Sequence, residues 1–306
     1  MSGLRQASED YLAVRRALGF KLERHGQLLA DFIGYLERAG ADRITMELAL
    51  AWARQPAGRD PVWWASRLSV ARVFARHLAS LDPATEVPPP DVLPTGGRRR
   101  TPHLFSPADV AGLMAAARAL RSPLRAATHE TLIGLLVVTG LRIGEAMRMC
   151  RADVDLDEGL LTVVHSKFGK SREVPLHPST VDALRAYARR RDQLCPRPKA
   201  PNFFVSTAGT ALRYNEVRTT FCGLARQAGL DRGAGLPRLH QLRHGFAVAT
   251  VVDWYRRGAD VEALLPRLST FLGHVQPRST YWYLQAAPEL LGLAAQRLER
   301  ALPGLS

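Results

Sequence analysis

The sequence predicts a mainly α-helical protein with one small antiparallel β-sheet, divided into two domains. Three observations carry that expectation. Most apolar residues recur at the three-and-four spacing of amphipathic helices, a single stretch after Cys150 alternates as strands do, and a proline- and glycine-rich segment separates two parts that each show this patterning. The chain has 306 residues, more than the roughly 100–200 of one ordinary domain. Its 46% hydrophobic and 23% charged residues and mean hydropathy of -0.11 describe a globular chain and exclude a disordered one. The longest apolar run, Leu132 to Val138 with Gly134 inside it, falls far short of the roughly 18 residues of a membrane span. With a polar N-terminus, MSGLRQASEDY, neither signal peptide nor anchor is expected, and the cytoplasm is the expected location.

The N-terminal part reads as helices throughout. In HGQLLADFIGYLERAG, Leu28, Leu29, Phe32, Ile33 and Leu36 share one helical face and Gly40 follows as a stop. Asp60 before Pro61 is an N-cap followed by proline at the first helical position, opening a helix with Trp64, Leu68, Ala71, Phe74, Leu78 and Leu81 as a buried stripe. Arg67, Arg72 and Arg76 lie off that stripe, on a face that is either solvated or turned toward a polyanion. From Asp82 to Pro102 six prolines and two glycines favour an extended linker, which carries Arg98, Arg99 and Arg100. The expected division is a helical domain over 1–92, a basic linker over 93–103 and a second domain over 104–306.

The second part opens with Ser106-Pro107-Ala108-Asp109, an N-cap serine and an acid three residues on, as in a capping box. A helix to about Leu120 follows, then another from about Leu124 to Val138 ended by Gly140, and a third over Leu141 to Met149 with Arg142 at its start. CRADVDLDEGLLTVVHSKFGKSREVPLH alternates short Val/Leu-rich runs with turns, which predicts three antiparallel strands with Lys167 and Lys170 between the last two. Helices are expected again over about 179–194, 215–228, 239–258, 261–272, 279–284 and 288–302.

Charge points to a partner. Forty-two basic against 28 acidic residues leave +14, and the pI of about 10.6 exceeds the ~9 that marks a polyanion-binding domain. Through Asp82 there are 12 basic and 9 acidic residues, and after it 30 and 19, so most of the excess lies in the C-terminal part. Only Lys21, Lys167, Lys170 and Lys199 are lysine. Arginine forms a bidentate fork on phosphate but effectively never gives up its proton, so a lysine in such a chain is the natural proton donor. Cys150, Cys195 and Cys222 have no CxxC spacing and read as small buried hydrophobes in a reducing compartment. No acidic cluster suggests a metal, and no cofactor motif is present in the sequence.

Five places carry chemistry-bearing residues. His240 and Arg243 in LHQLRH are three apart on one helical face. Arg142 lies beside the glycine turn of TGLRIGE, with Glu145 three residues on, positioned to hold its guanidinium. His274 ends a helix in LGH, and Tyr283 follows nine residues later, next to Tyr281 and Trp282. The hairpin lysines complete the set. His165 and His177 flank the hairpin as strand-end residues, and His244 reads as a packing residue.

In this order TGLRIGEAMRM, HSKFGKSREVPL, HQLRHGFA and LGHVQPRSTYWYL resemble the tyrosine recombinase or phage integrase family over residues 104–287, and in particular its transposon-borne branch. The resemblance implies a C-shaped clamp on double-stranded DNA, with 1–92 as the core-binding domain and 104–306 as the catalytic domain. It implies site-specific DNA cleavage and rejoining through a covalent 3′-phosphotyrosine. Arg142 and Arg243 would be the catalytic arginines, Lys167 the hairpin lysine, His240 the partner of Arg243, His274 the second histidine and Tyr283 the nucleophile. It further implies a homo-tetramer, or a hetero-assembly with related recombinases, joined by the last helix. Two other readings stand beside it, an accessory DNA-binding homologue and a type IB topoisomerase-like enzyme.

The pattern departs from the family in three respects. Gly144 and Gly245 stand where small hydroxyl residues are common, and the stretch between Arg243 and His274 is longer than usual, implying an extended helix or loop near the site.

Overall fold

The computed structural model describes residues 3–55, 57–94, 103–164, 171–231 and 235–273. They form two compact units, one up to residue 94 and the other from residue 103. Lys167, Lys170, His165, His274, Tyr281, Trp282, Tyr283 and the last two expected helices lie outside the described residues, as does Arg98–Arg100.

The first unit contains α1 (Gly3–Ala17), α2 (Glu23–Arg38), α3 (Met46–Arg54) and α4 (Pro61–Ala79). The side chain of Asp60 accepts from the Val62 amide, and Gly40 adopts a φ of 66° just past α2, so both signals read from the sequence act as expected. Leu29, Phe32, Ile33, Leu36, Trp52, Leu68, Ala71 and Phe74 form the core. Leu81, expected in the stripe, is 71% exposed because α4 ends at Ala79.

Arg67 corrects the expected basic face. It is buried, its guanidinium lies 4.0 Å from the Trp52 ring centre and 5.0 Å from that of Trp63, and it donates to Asp31 Oδ2 at 3.0 Å. Residues 82–94 pack on this unit rather than standing free. Arg72 donates to the carbonyls of Pro88 and Pro89 at 2.7 and 2.8 Å, and Leu93 is buried in the core. Prolines lack an N–H but keep a carbonyl, which makes such a segment a good acceptor for a nearby arginine.

The second unit is built around α6 (Pro123–Thr139), a helix buried on almost every side. It packs against α5 (Pro107–Arg118), α8 (Pro178–Leu194) and α10 (His240–Arg256), with α9 (Tyr214–Gln227) against α5. The Ser106–Asp109 capping box is formed, with Ser106 Oγ accepting from the Asp109 amide at 3.1 Å and Asp109 Oδ2 from the Ser106 amide at 2.9 Å. A short helix, α7 (Ile143–Arg148), precedes the sheet of β1 (Val154–Asp155), β2 (Leu160–Val163) and β3 (Arg172–Pro175), ordered β1-β2-β3 and antiparallel throughout.

The long stretch after Arg243 becomes α10 and α11 (Val261–Leu272), which share a separate apolar cluster of Ala247, Val248, Val251, Val252, Val261, Leu265, Leu268 and Leu272. The extra length is therefore helix with its own small core. The three cysteines are free and half-buried, more exposed than expected of core residues. Among the described residues no helix is long and apolar enough to cross a membrane.

Candidate DNA-cleavage site

The site grows from two helix ends. A helix leaves its last carbonyls without intrahelical donors, and those carbonyls carry the negative end of the helix dipole. Helices α6 and α11 both end in a glycine, Gly140 with φ 59° and Gly273 with φ 67°, and neither has a basic residue in its own last turn. Guanidinium groups from elsewhere fill that need. Arg243 Nη1 donates to Gly140 O at 2.8 Å and its Nη2 to Leu272 O at 2.6 Å.

Three consecutive carbonyls at the end of α11 each accept from a different arginine. Arg172 Nε donates to Phe271 O at 2.8 Å, Arg243 Nη2 to Leu272 O, and Arg142 Nη2 to Gly273 O at 2.8 Å. The amide of Gly273 is turned back onto α11, donating to Ser269 and Thr270 carbonyls, which leaves these three oxygens for the arginines.

Glu145 joins two of the three. Its Oε1 accepts from Arg142 Nη1 at 2.7 Å and Arg172 Nη1 at 3.2 Å, and its Oε2 from Arg172 Nη2 at 2.9 Å and the Arg142 amide at 3.0 Å. The last bond is the N-terminal half of a capping arrangement, so the carboxylate that starts α7 also pairs with the guanidiniums. Burial alone would raise the Glu145 pKa. The Arg172 hydrogen bonds and charge and the Arg142 amide and side chain outweigh burial and hold it at about 2. Two guanidiniums pair with this carboxylate and a third, that of Arg243, binds carbonyls in the same cluster, so the cluster is net positive.

Exposure differs sharply among the arginines. Arg243 is buried, whereas the Arg142 side chain is 29% exposed and the Arg172 side chain 11%. His240, at the first turn of α10, is exposed, and its pKa is lowered by partial desolvation and then by the charges of Arg243 and Arg142. It is therefore a neutral imidazole with one N–H to donate near neutral pH. His244 is buried, as expected of a packing residue, and burial followed by the proximity of His240 pushes it down to about 4.

The structure thus brings Arg142, Glu145, Arg243 and His240 together, and adds Arg172, which sequence reasoning missed. A signal for it existed. Strand residues alternate between faces, Val174 is fully buried, and Arg172 shares its face, so an arginine pointed to the core side required a partner. His177 is accounted for locally as the N-cap of α8, its Nδ1 accepting from the Ser179 amide at 3.3 Å. Among the described residues no three His, Cys, Asp or Glu side chains gather as a metal site would require.

Residues 104–289 match the phage integrase family. The integrase/recombinase y4rB of Sinorhizobium fredii is 48% identical over 309 residues, covering 98% of each chain, and y4rE of the same organism is 39% identical over 94% of each. Among solved structures, the Tn1549 transposon integrase in complex with transposon right end DNA superposes with a TM-score of 0.68 at 17% identity, over 98% of this chain and 99% of that one. XerH bound to difH substrate in a post-cleavage complex gives a TM-score of 0.63 at 19% identity, over 90% and 77%.

Proposed function

Because the chain belongs to the phage integrase family of tyrosine recombinases, we propose that Arg142 and Arg243 of its arginine cluster stabilise a scissile DNA phosphate while Tyr283 attacks it. The observation that carries this reading is the seating of Arg142, Arg172 and Arg243 on three consecutive carbonyls that lead directly into His274. Donors held this way need no reorganisation when charge develops on the non-bridging oxygens, which is where preorganised electrostatics is worth most.

In the reaction so assigned, the Tyr283 hydroxyl attacks phosphorus, the phosphorus–O5′ bond breaks, and a 3′-phosphotyrosine forms with release of a 5′-hydroxyl. The bond energy is kept in the covalent intermediate, so a 5′-hydroxyl of another strand reverses the step without ATP. Arg142, partly exposed, contacts the phosphate, and buried Arg243 supplies fixed positive charge. His240, neutral, donates a hydrogen bond, and His274 provides a second. Lys167 protonates the leaving oxygen, a task that a guanidinium cannot perform. Rejoining to a different partner strand makes the enzyme a site-specific recombinase of the integrase or transposase type.

On DNA, residues 1–92 and 104–306 grip the duplex and the basic linker 93–103 follows the phosphates, consistent with the chain's +14 charge. Assembly is as a homo-tetramer or with related recombinases.

The test is to express the protein beside its native DNA, denature with detergent, and sequence DNA that remains attached to protein, with Tyr283→Phe as control. Covalent DNA from wild type alone, ending at a few fixed positions, is the expected result. Scattered ends would identify topoisomerase-like action, and no adduct even with related recombinases present would identify an accessory protein.

A further inference from the structure

We propose that Arg172 is a positioning residue for cleavage: it locks Arg142 and the end of α11 into one arrangement and thereby ties the β2–β3 hairpin, which carries Lys167, to the arginine that binds the phosphate. This rests on the reading of Arg142 given above.

Every donor nitrogen of Arg172 is engaged. Nε donates to Phe271 O, Nη1 to Glu145 Oε1 and Nη2 to Glu145 Oε2. With its side chain only 11% exposed and its fork directed at Glu145, Arg172 does not itself reach a phosphate. Its effect passes through Glu145, whose other bonds hold both the backbone amide and the guanidinium of Arg142. The carboxylate is thereby fixed from two sides, by a strand and by a helix start.

Gly273 provides an independent observation. A Cβ placed there would lie 2.7 Å from Arg172 Nη1 and 3.0 Å from its Cζ, so the guanidinium occupies the space that this residue's missing side chain leaves. Gly273 also gives its carbonyl to Arg142. Arg172 is thus packed against Gly273, the residue immediately before His274, while bonded to the partner of Arg142.

The chemistry requires arginine. Three divergent bonds, two to a carboxylate and one to a carbonyl on another element, match the planar fork of a guanidinium, and an ammonium on a flexible stem does not reproduce them. The hairpin is the element that must present a general acid to the leaving oxygen, and Arg172 opens β3 directly beyond the hairpin turn. Any movement of β3 therefore shifts Glu145 and with it Arg142.

The experiment is single-turnover cleavage by the full chain of its own recovered DNA site. It compares wild type, Arg172→Ala, Arg172→Lys and Arg142→Ala on an ordinary scissile phosphodiester and on a scissile methylphosphonate, which lacks one anionic oxygen. Arg172→Ala is expected to slow phosphodiester cleavage at least about tenfold with DNA affinity within about twofold of wild type. On the methylphosphonate, where less charge awaits Arg142, the Arg172→Ala and Arg142→Ala defects are both expected to shrink, to under about threefold for Arg172→Ala. Arg172→Lys, which keeps the charge and most of the side-chain volume, is expected to show the same dependence on substrate charge in smaller measure, and it carries the comparison should Arg172→Ala unfold. Equal slowing on both substrates, as a general folding defect would give, overturns the positioning role, as does wild-type cleavage by Arg172→Ala. If Arg142→Ala cleaves the phosphodiester normally, the underlying reading of Arg142 fails and the proposal falls with it. If Arg142→Ala behaves as expected and Arg172→Ala does not, only the role of Arg172 is lost.

Discussion

Arg142 and Arg243 are anchored one residue apart on the same strip of backbone, Arg142 on the carbonyl of Gly273 and Arg243 on that of Leu272. The two side chains come from a helix start and from the first turn of another helix, yet their spacing is set by a single peptide unit of a third. A rigid clamp follows, because neither guanidinium can move relative to the other without breaking a bond to the end of α11.

Substitution of Gly273 by alanine tests that anchor. A φ of 67° is strained for an L-residue, by about 1 kcal/mol or more, and the new methyl group also displaces the Arg172 guanidinium. Gly273→Ala is expected to lower the melting temperature and to reduce cleavage at least about tenfold. In an Arg172→Ala background the steric part disappears, so the additional stability loss from Gly273→Ala should be smaller there, as a double-mutant cycle of thermal melts would measure.

Glu145 links stability to acid. Its folded pKa of about 2 lies below the ordinary 4.5, so its contribution is fully present above pH 4.5 and is lost as pH falls toward 2. The shift corresponds to about 3 kcal/mol. Glu145→Gln should be less stable than wild type at pH 7, with the gap narrowing between pH 4.5 and 2 in denaturant titrations. A constant gap across that range would contradict the assignment.

His244 acts at higher pH. Its folded pKa of about 4 lies below the ordinary 6.5, so the unfolded chain takes up a proton that the folded one refuses, and stability declines as pH drops from 6.5 toward 4. His244→Gln removes this component. Melting temperatures of the variant should therefore depend less steeply on pH in that window than those of wild type.

Lys167 is tested by its leaving group. Lys167→Ala should slow cleavage of ordinary DNA by roughly 10²-fold or more, while a 5′-bridging phosphorothiolate, whose sulfur leaves without a proton, should restore the rate. Absence of rescue would assign the proton to another group, with Lys170 the first to examine. Tyr281→Phe should leave covalent attachment intact while Tyr283→Phe abolishes it.

In the N-terminal unit, the Arg67 guanidinium lies over the Trp52 and Trp63 rings and donates to Asp31. Arg67→Ala removes the stacked guanidinium and leaves a void beside Trp52, while Asp31, half exposed, keeps its bond from Trp52 Nε1, so this unit should lose about 2 kcal/mol, mostly packing. Arg67→Lys should recover only part of this, because an ammonium does not stack as a planar guanidinium does. Differential scanning calorimetry of the full chain would show the loss.

Local chemistry was legible in the sequence because caps and faces depend on neighbours in the chain. Ser106 and Asp109 form their box, Gly140 and Gly273 end their helices in the left-handed conformation, and Arg142 starts α7 with Glu145 bonded back to it. The alternation after Cys150 placed all three strands. Arg67 was misread for the complementary reason: a charged residue off the apolar stripe of α4 is ordinarily solvated, and only the packing of α2 and α3 brings Asp31 and Trp52 over it.

What the sequence by itself determined is therefore the order of the candidate residues along the chain and the helix starts and stops that place Arg142, Glu145, His240 and Arg243. Tertiary structure alone decided that Arg142, Arg172 and Arg243 converge on Phe271, Leu272 and Gly273, across separations of 131, 99 and 29 residues. Periodicity and capping are properties of a few adjacent residues. Which orphan carbonyl a distant guanidinium satisfies depends on how α6, α10, α11 and β3 pack, and that packing turns a list of arginines into one fixed cluster.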